Sequence, residues 1–442
     1  MGTREPNENL AALFEETGWT ERQLAQAVNR LGTERGTPTR YQQPSVSQWL
    51  GGGIPKKSAR GLIVEAFARK LGRPLTHEQL GFPAPPEKSD SYSLTESLID
   101  LGSRDMERRY FIGSALFSVA LKIPEWREIS ERAEAVQSGQ AQEMGMRDVE
   151  LVTKITDHLW MTFEQFGGHH TRPMAAQFLV HTVVPYLRTH ALEAPRKAML
   201  SAASFLCYLT GWMAEDEGRH GLAQRYYTKS LELARESGDR LAYCRTIRGL
   251  SVQAADLGHG PDAKRFADAA ATAAPDAGPR NRAFFAAQQG YASAVAGESR
   301  AALASIREAE KFLDISDSGP GTLGGFNPSI LAYATSNVRY HSGDIKGSMD
   351  SLHLHFRLRG TGDTPRSAAR FGSLLAERQL ELGHLEEACG TWSKVLDAYP
   401  NIYSGRVDQH VANIESLLRP YLANSTARDT FERSRLASRA RQ

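Results

Sequence analysis

The chain has 442 residues, of which 41% are apolar and 24% charged, with a net charge of +2. This is the composition of soluble globular protein, with length enough for two or three domains. No run of 18 apolar residues could span a bilayer, and the opening MGTREPNENL lacks the basic and apolar regions of a secretory signal, so a membrane role is excluded and a cytoplasmic setting expected. Cys207, Cys244 and Cys389 are odd in number and far apart, which predicts reduced, buried thiols.

The charge is uneven. Between Arg35 and Arg73 stand eight basic residues (Arg35, Arg40, Lys56, Lys57, Arg60, Arg69, Lys70, Arg73) against one acid, Glu65, a balance of 8 − 1 = +7. A basic block beside a near-neutral body is the footprint of a nucleic-acid-binding module or of a solvated charged face.

Within residues 1–80, Leu10, Leu13 and Phe14 repeat at helical spacing up to a stop near Gly18. Thr20-Glu21-Arg22-Gln23 then reads as a capping box that opens a second helix carrying Leu24, Ala27, Val28 and Leu31. Pro44 suits the first turn of a third, short helix, in which Val46, Trp49 and Leu50 face inward before Gly51, Gly52 and Gly53 end it. A fourth helix follows Pro55, with Leu62, Ile63, Ala66, Phe67 and Leu71 inward.

Four short helices around one small core form a helix-turn-helix architecture. The stretches LAALFEETGWTERQLAQAV, SVSQWLGG and ARGLIVEAFARKLG resemble the DNA-binding domain of phage-repressor-type (XRE-like) regulators, most of all a group common in Streptomyces and related actinobacteria. The resemblance covers residues 8 to 80. It departs from the family in the long connection NRLGTERGTPTRYQQ between the second and third helices, where either the helix is longer or a loop forms.

By position, the resemblance implies that Gln43, Ser45, Ser47 and Gln48 face base edges of double-stranded DNA, where glutamine can bond adenine at two points. Arg40, Tyr41, Lys56, Lys57 and Arg60 are the expected phosphate contacts.

Residues 81–93, GFPAPPEKSDSYS, read as a linker with three prolines. The rest is expected to be all-α: a helical connecting region over 94–198, including DVELVTKITDHLWMTFEQFGGHHTRPMAAQFLVHTVVPYL, then a repeat domain over 199–442. In the latter, small residues at Ala223, Ala263, Ala302, Ser348 and Ala388 recur at intervals of 40, 39, 46 and 40 after Gly-containing turns. This periodicity resembles a degenerate tetratricopeptide array, an α-solenoid of helix pairs, with Pro400 at the last stop. Such an array implies a groove lined by the first helix of each pair, with Tyr208, Trp212, Arg248, Tyr291, Tyr333, Asn337 and Arg370 as candidates to hold a peptide or small-molecule effector.

Other motifs carry little. GPGTLG at 319–324 satisfies G-x-G-x-x-G but follows a helical pattern where a dinucleotide fold needs a strand, and no cofactor is expected. The histidines, including His158, His169, His170 and His181, show no metal-ligand spacing, and no nucleophile constellation marks an enzyme. The Arg-rich end ARDTFERSRLASRARQ reads as a frayed terminal helix.

The expected function is that of a transcriptional regulator acting as a homodimer on paired half-sites, with a repeat domain that senses an effector or dimerises. Peptide-sensing receptors of similar architecture offer the analogy. The alternative is a protein-interaction scaffold without specific DNA binding.

Overall fold

The computed structural model describes residues 6–34, 38–83, 93–105, 144–273, 275–316, 326–360 and 364–441. Among them the regular structure is helical apart from one bridge between Met144 and Ala191. The fold is all-α, a small N-terminal helical domain followed by stacked helix pairs.

The N-terminal domain comprises α1 (Glu8–Thr17), α2 (Glu21–Glu34), α3 (Gln43–Leu50) and α4 (Lys57–Leu71). Gly18 ends α1 at φ +62°, a left-handed turn that glycine adopts without strain. The capping box forms: the Thr20 amide donates to Gln23 Oε1 at 2.8 Å and the Gln23 amide to Thr20 Oγ1 at 3.3 Å. Leu10, Leu24, Val28, Val46, Trp49, Leu62, Ile63, Phe67, Leu80 and Phe82 share one core. Asn7 fastens its two ends, accepting from the Leu10 amide and donating to the Leu80 carbonyl at 2.9 Å. The core thus runs through Phe82. The remainder of the expected linker, 84–92, lies outside the described residues, as do 106–143 of the connecting region.

Next come α5 (Leu94–Asp105), α6 (Met146–Phe166), α7 (Gly168–Phe178), a π-turn at Leu179–Val183 and α8 (Val184–Arg188). The pairs that follow are α9 (Glu193–Asp216) with α10 (His220–Ser237), α11 (Arg240–Asp256) with α12 (Gly260–Ala273), and α13 (Pro279–Val295) with α14 (Ser299–Asp314). Then come α15 (Pro328–His341) with α16 (Ile345–Arg359) and α17 (Pro365–Glu381) with α18 (Leu385–Ala398), before α19 (Gly405–Leu418) and α20 (Ser425–Arg439).

One local rule builds every pair from α9 to α18. Gly218, Gly258, Gly297, Gly343 and Gly383 all take positive φ, from 75° to 86°, and reverse the chain. Five residues after each stands one of Ala223, Ala263, Ala302, Ser348 and Ala388, all at 0% exposure. Twelve residues before each of those, on the first helix, stand Gly211, Ser251, Gly290, Ser336 and Ala376. Small residues at both positions let the helices cross closely: a Cβ on Gly290 would lie 3.1 Å from the Ala302 carbonyl oxygen. Where the small residue is serine its hydroxyl is satisfied across the crossing, Ser251 by the Ala263 carbonyl at 2.7 Å and Ser336 by Ser348 at 2.9 Å.

The stack returns on itself. At its far end, Arg366 of α17 donates to Glu164 of α6 at 2.5 Å and to Asp216 of α9 at 3.1 Å, and Ser404 Oγ donates to the same Asp216 oxygen at 2.9 Å. The Tyr403 amide donates to the Phe166 carbonyl at 2.7 Å. Gly167 and Gly168 permit this approach, since a Cβ on either would fall 2.3 Å from Tyr403 O and 2.4 Å from Met213 O respectively.

The C-terminal segment departs from the expected frayed helix. α20 is ordered on α18, with Ala427, Thr430 and Ser434 buried, and Arg433 pairs with Asp397 at 2.6 Å. Its alternation of arginine with small residues is that of a packed helix face.

Candidate nucleic-acid and ligand-binding sites

α3 is pinned from beneath and open above. Val46 is 0% and Trp49 4% exposed, whereas Gln43, Ser47 and Gln48 are exposed and Ser45 half-buried. The long connection into α3 is held by one side chain: Asn29 accepts from the Tyr41 amide at 2.8 Å and from Thr39 Oγ1 at 2.9 Å, and donates to the Tyr41 carbonyl at 2.8 Å. Thus α2 does extend, to Glu34, and the remainder of the connection leads into α3. After α3, the Gly53 amide returns to the Gln48 carbonyl at 2.7 Å, so close that a Cβ there would sit 2.6 Å from that oxygen.

Of the expected phosphate contacts, Arg40, Lys56 and Lys57 are exposed around α3. Arg60 is half-buried, with Nε donating to the Pro55 carbonyl at 2.9 Å. Tyr41 is half-buried, and its ring packs edge-on against Trp49 at 5.1 Å beside the core. Ser47 donates to Glu21 Oε2 at 2.5 Å, in the first turn of α2. That acid beside α3 restrains Ser47 and lowers the local positive potential.

The seven groove candidates all lie on the first helices of the pairs, α9, α11, α13, α15 and α17. Several of them are joined through Asp256. Tyr291 Oη donates to Asp256 at 2.9 Å, Arg370 to Tyr333 Oη at 3.1 Å, and Arg370 stands 3.7 Å from Asp256. Arg406 of α19 pairs with Asp256 at 3.0 Å and with Glu215, and lies 5.4 Å over the Trp212 ring. Tyr208 departs from the expectation of a groove-exposed residue: at 4% exposure it is covered by Trp212 and Tyr227. Asn337 is half-buried.

Burial decides the electrostatics here. Desolvation pushes the Glu215 carboxyl up to about 7, against the opposing pull of Arg406 and the Tyr227 hydroxyl that donates to it at 2.8 Å. Glu215, Asp256, Arg245 and Phe205 were missed by sequence reasoning, although each stands seven, eight or three residues from a candidate on the same helix and shares its face. Arg406 carries no such signal.

Cys207, Cys244 and Cys389 are free and buried. Among the described residues no cluster of His, Cys, Asp and Glu could hold a metal, and no helix is long and apolar enough to cross a membrane. GPGTLG lies outside the described residues.

A family model described as the SP15 N-terminal domain matches residues 10–83. Those limits nearly coincide with Leu10 and Phe82, the first and last residues of the N-terminal core. No curated protein matches the chain.

Proposed function

We propose that the protein is a cytoplasmic, sequence-specific DNA-binding regulator of transcription and not an enzyme. Its N-terminal domain acts as an XRE-like helix-turn-helix unit, and its tetratricopeptide-like array as an effector-responsive, dimerising body. The observation that carries this reading is α3, whose Gln43 and Gln48 point outward over a buried Val46 and Trp49, with Arg40, Lys56 and Lys57 exposed around it. Glutamine in a major groove can bond adenine N6 and N7, while the cations fix the register through phosphates. One helix reads only a few base pairs, so useful affinity requires two copies on paired half-sites.

A gel shift against DNA upstream of the protein's own and neighbouring genes tests it. Gln48→Ala should weaken one base preference by about 1–3 kcal/mol, and each cation removed should lower the salt slope by about one. Absence of any shift at low salt would favour the rival reading, a scaffold that binds partner proteins through the array.

A further inference from the structure

Arg245 and Arg248, one turn apart on α11, differ from the other arginines of the inner face. Arg366, Arg370 and Arg406 each meet at least one carboxylate. Among the described residues Arg245 and Arg248 form no ion pair. Arg248 lies 3.7 Å over the Phe284 ring, and its Nε is buried with no hydrogen-bond partner. Arg245 lies 5.1 Å over Phe205.

Phe205 belongs to a series of near-parallel rings. Trp160 of α6 and Phe205, Tyr208 and Trp212 of α9 follow one another at centroid spacings of 6.2, 6.1 and 6.3 Å, with interplanar angles of 14°, 21° and 27°. The spacing 205, 208, 212 sets the last three on one stripe of α9. Trp160, Phe205 and Trp212 are half-buried, as are both arginines, so the stripe keeps an open edge. Burial lowers the proton affinity of Arg248, against the opposing pull of the Tyr208, Tyr227 and Tyr333 hydroxyls and of Glu215, whose own charge burial weakens. A ligand carboxylate would supply a full counter-charge there, by the paired bonding that guanidinium makes best.

We propose that this stripe binds a flat organic monocarboxylate, its ring system against the open edge of Phe205 and Trp212 and its carboxylate on Arg248, with Arg245 as the outer cation. The assignment rests on reading the inner face as an effector site and names the ligand's chemistry there. Glu215, one turn beyond Trp212 on α9, and Asp256, two turns beyond Arg248 on α11, would repel a ligand of higher negative charge and so disfavour phosphates.

The test is calorimetric titration of the full chain with 2-naphthoate and indole-3-acetate, each against its primary amide, and with inorganic phosphate. Each acid should bind at least about tenfold tighter than its amide, and phosphate should produce no heat of binding. Arg248→Gln should abolish the preference and Arg248→Lys keep part of it, with melting curves confirming that both variants fold. Equal binding of acid and amide, or a preference that survives Arg248→Gln, overturns the anion assignment and leaves the inner face a ligand site. Binding by phosphate alone also overturns it. Should no probe bind, and the protein from its own host carry no organic acid in native mass spectrometry, both readings fall.

Discussion

Arg366 and Asp216 meet at 3.1 Å although 150 residues separate them, and both are almost wholly buried. This contact joins the end of the helical stack to its beginning, with Glu164 as the second acid on the same guanidinium.

Arg366→Met should therefore remove the cation shared by the buried Asp216 and the half-buried Glu164. A loss of about 3–5 kcal/mol is expected, since an unpaired buried charge costs more than the pair contributes. Denaturant titration measures the loss, and small-angle scattering should show a larger radius. Adding Glu164→Gln and Asp216→Asn should recover part of the stability.

The two faces of α3 should respond oppositely to truncation. Trp49→Ala removes a buried indole and should destabilise the N-terminal domain by about 3–5 kcal/mol. Gln48→Ala alters an exposed side chain and should stay within about 0.5 kcal/mol of the parent. Melting curves of the full chain separate them, and equal losses would mean that Gln48 is not presented outward.

Gly167→Ala is expected to disrupt the joint between α6 and α19. The new methyl would meet the Tyr403 backbone at 2.3 Å, and the backbone itself sits at φ +94°, where alanine is strained. Loss of amide protection at Tyr403, read by hydrogen exchange, should accompany a lowered melting temperature, while Gly278→Ala, in open space, should leave both unchanged.

Acid should weaken the array through His220. Burial first, and Arg406 second, pull its pKa down from 6.5 to about 4, so the folded protein holds it neutral. The unfolded chain binds the extra proton below 6.5, hence stability falls as pH is lowered from about 6.5 to about 4 and is then constant for this group. The melting temperature of His220→Gln should decline less across that window than that of the parent.

How far these features could be read from residues alone depends on range. The helix pairs are written locally: a glycine that must reverse the chain, a small residue five positions later and another twelve before that one are visible in any window of twenty. The inward Val46 and Trp49 follow from the same short-range spacing. The return of α17 to α6 leaves no such trace, because Glu164 and Arg366 are 202 residues apart and each looks like a surface charge. Periodicity assigns the groove candidates to the first helices of the pairs, yet their contacts with Asp256, and the position of Arg406, depend on that return and stay hidden with it. The packing of the Tyr41 ring on Trp49 is likewise not legible in the sequence, since the contact closes across the start of α3.

An open solenoid can gain or lose a unit at its end with little consequence for the others. Here the unit number is constrained by geometry: packed helices stand about 8–10 Å apart, so deleting one pair would carry Arg366 well out of reach of Glu164 and Asp216. Homologous chains that keep the Gly-Gly joint and these three charges should therefore tolerate changes in loop length between units far better than changes in how many units there are.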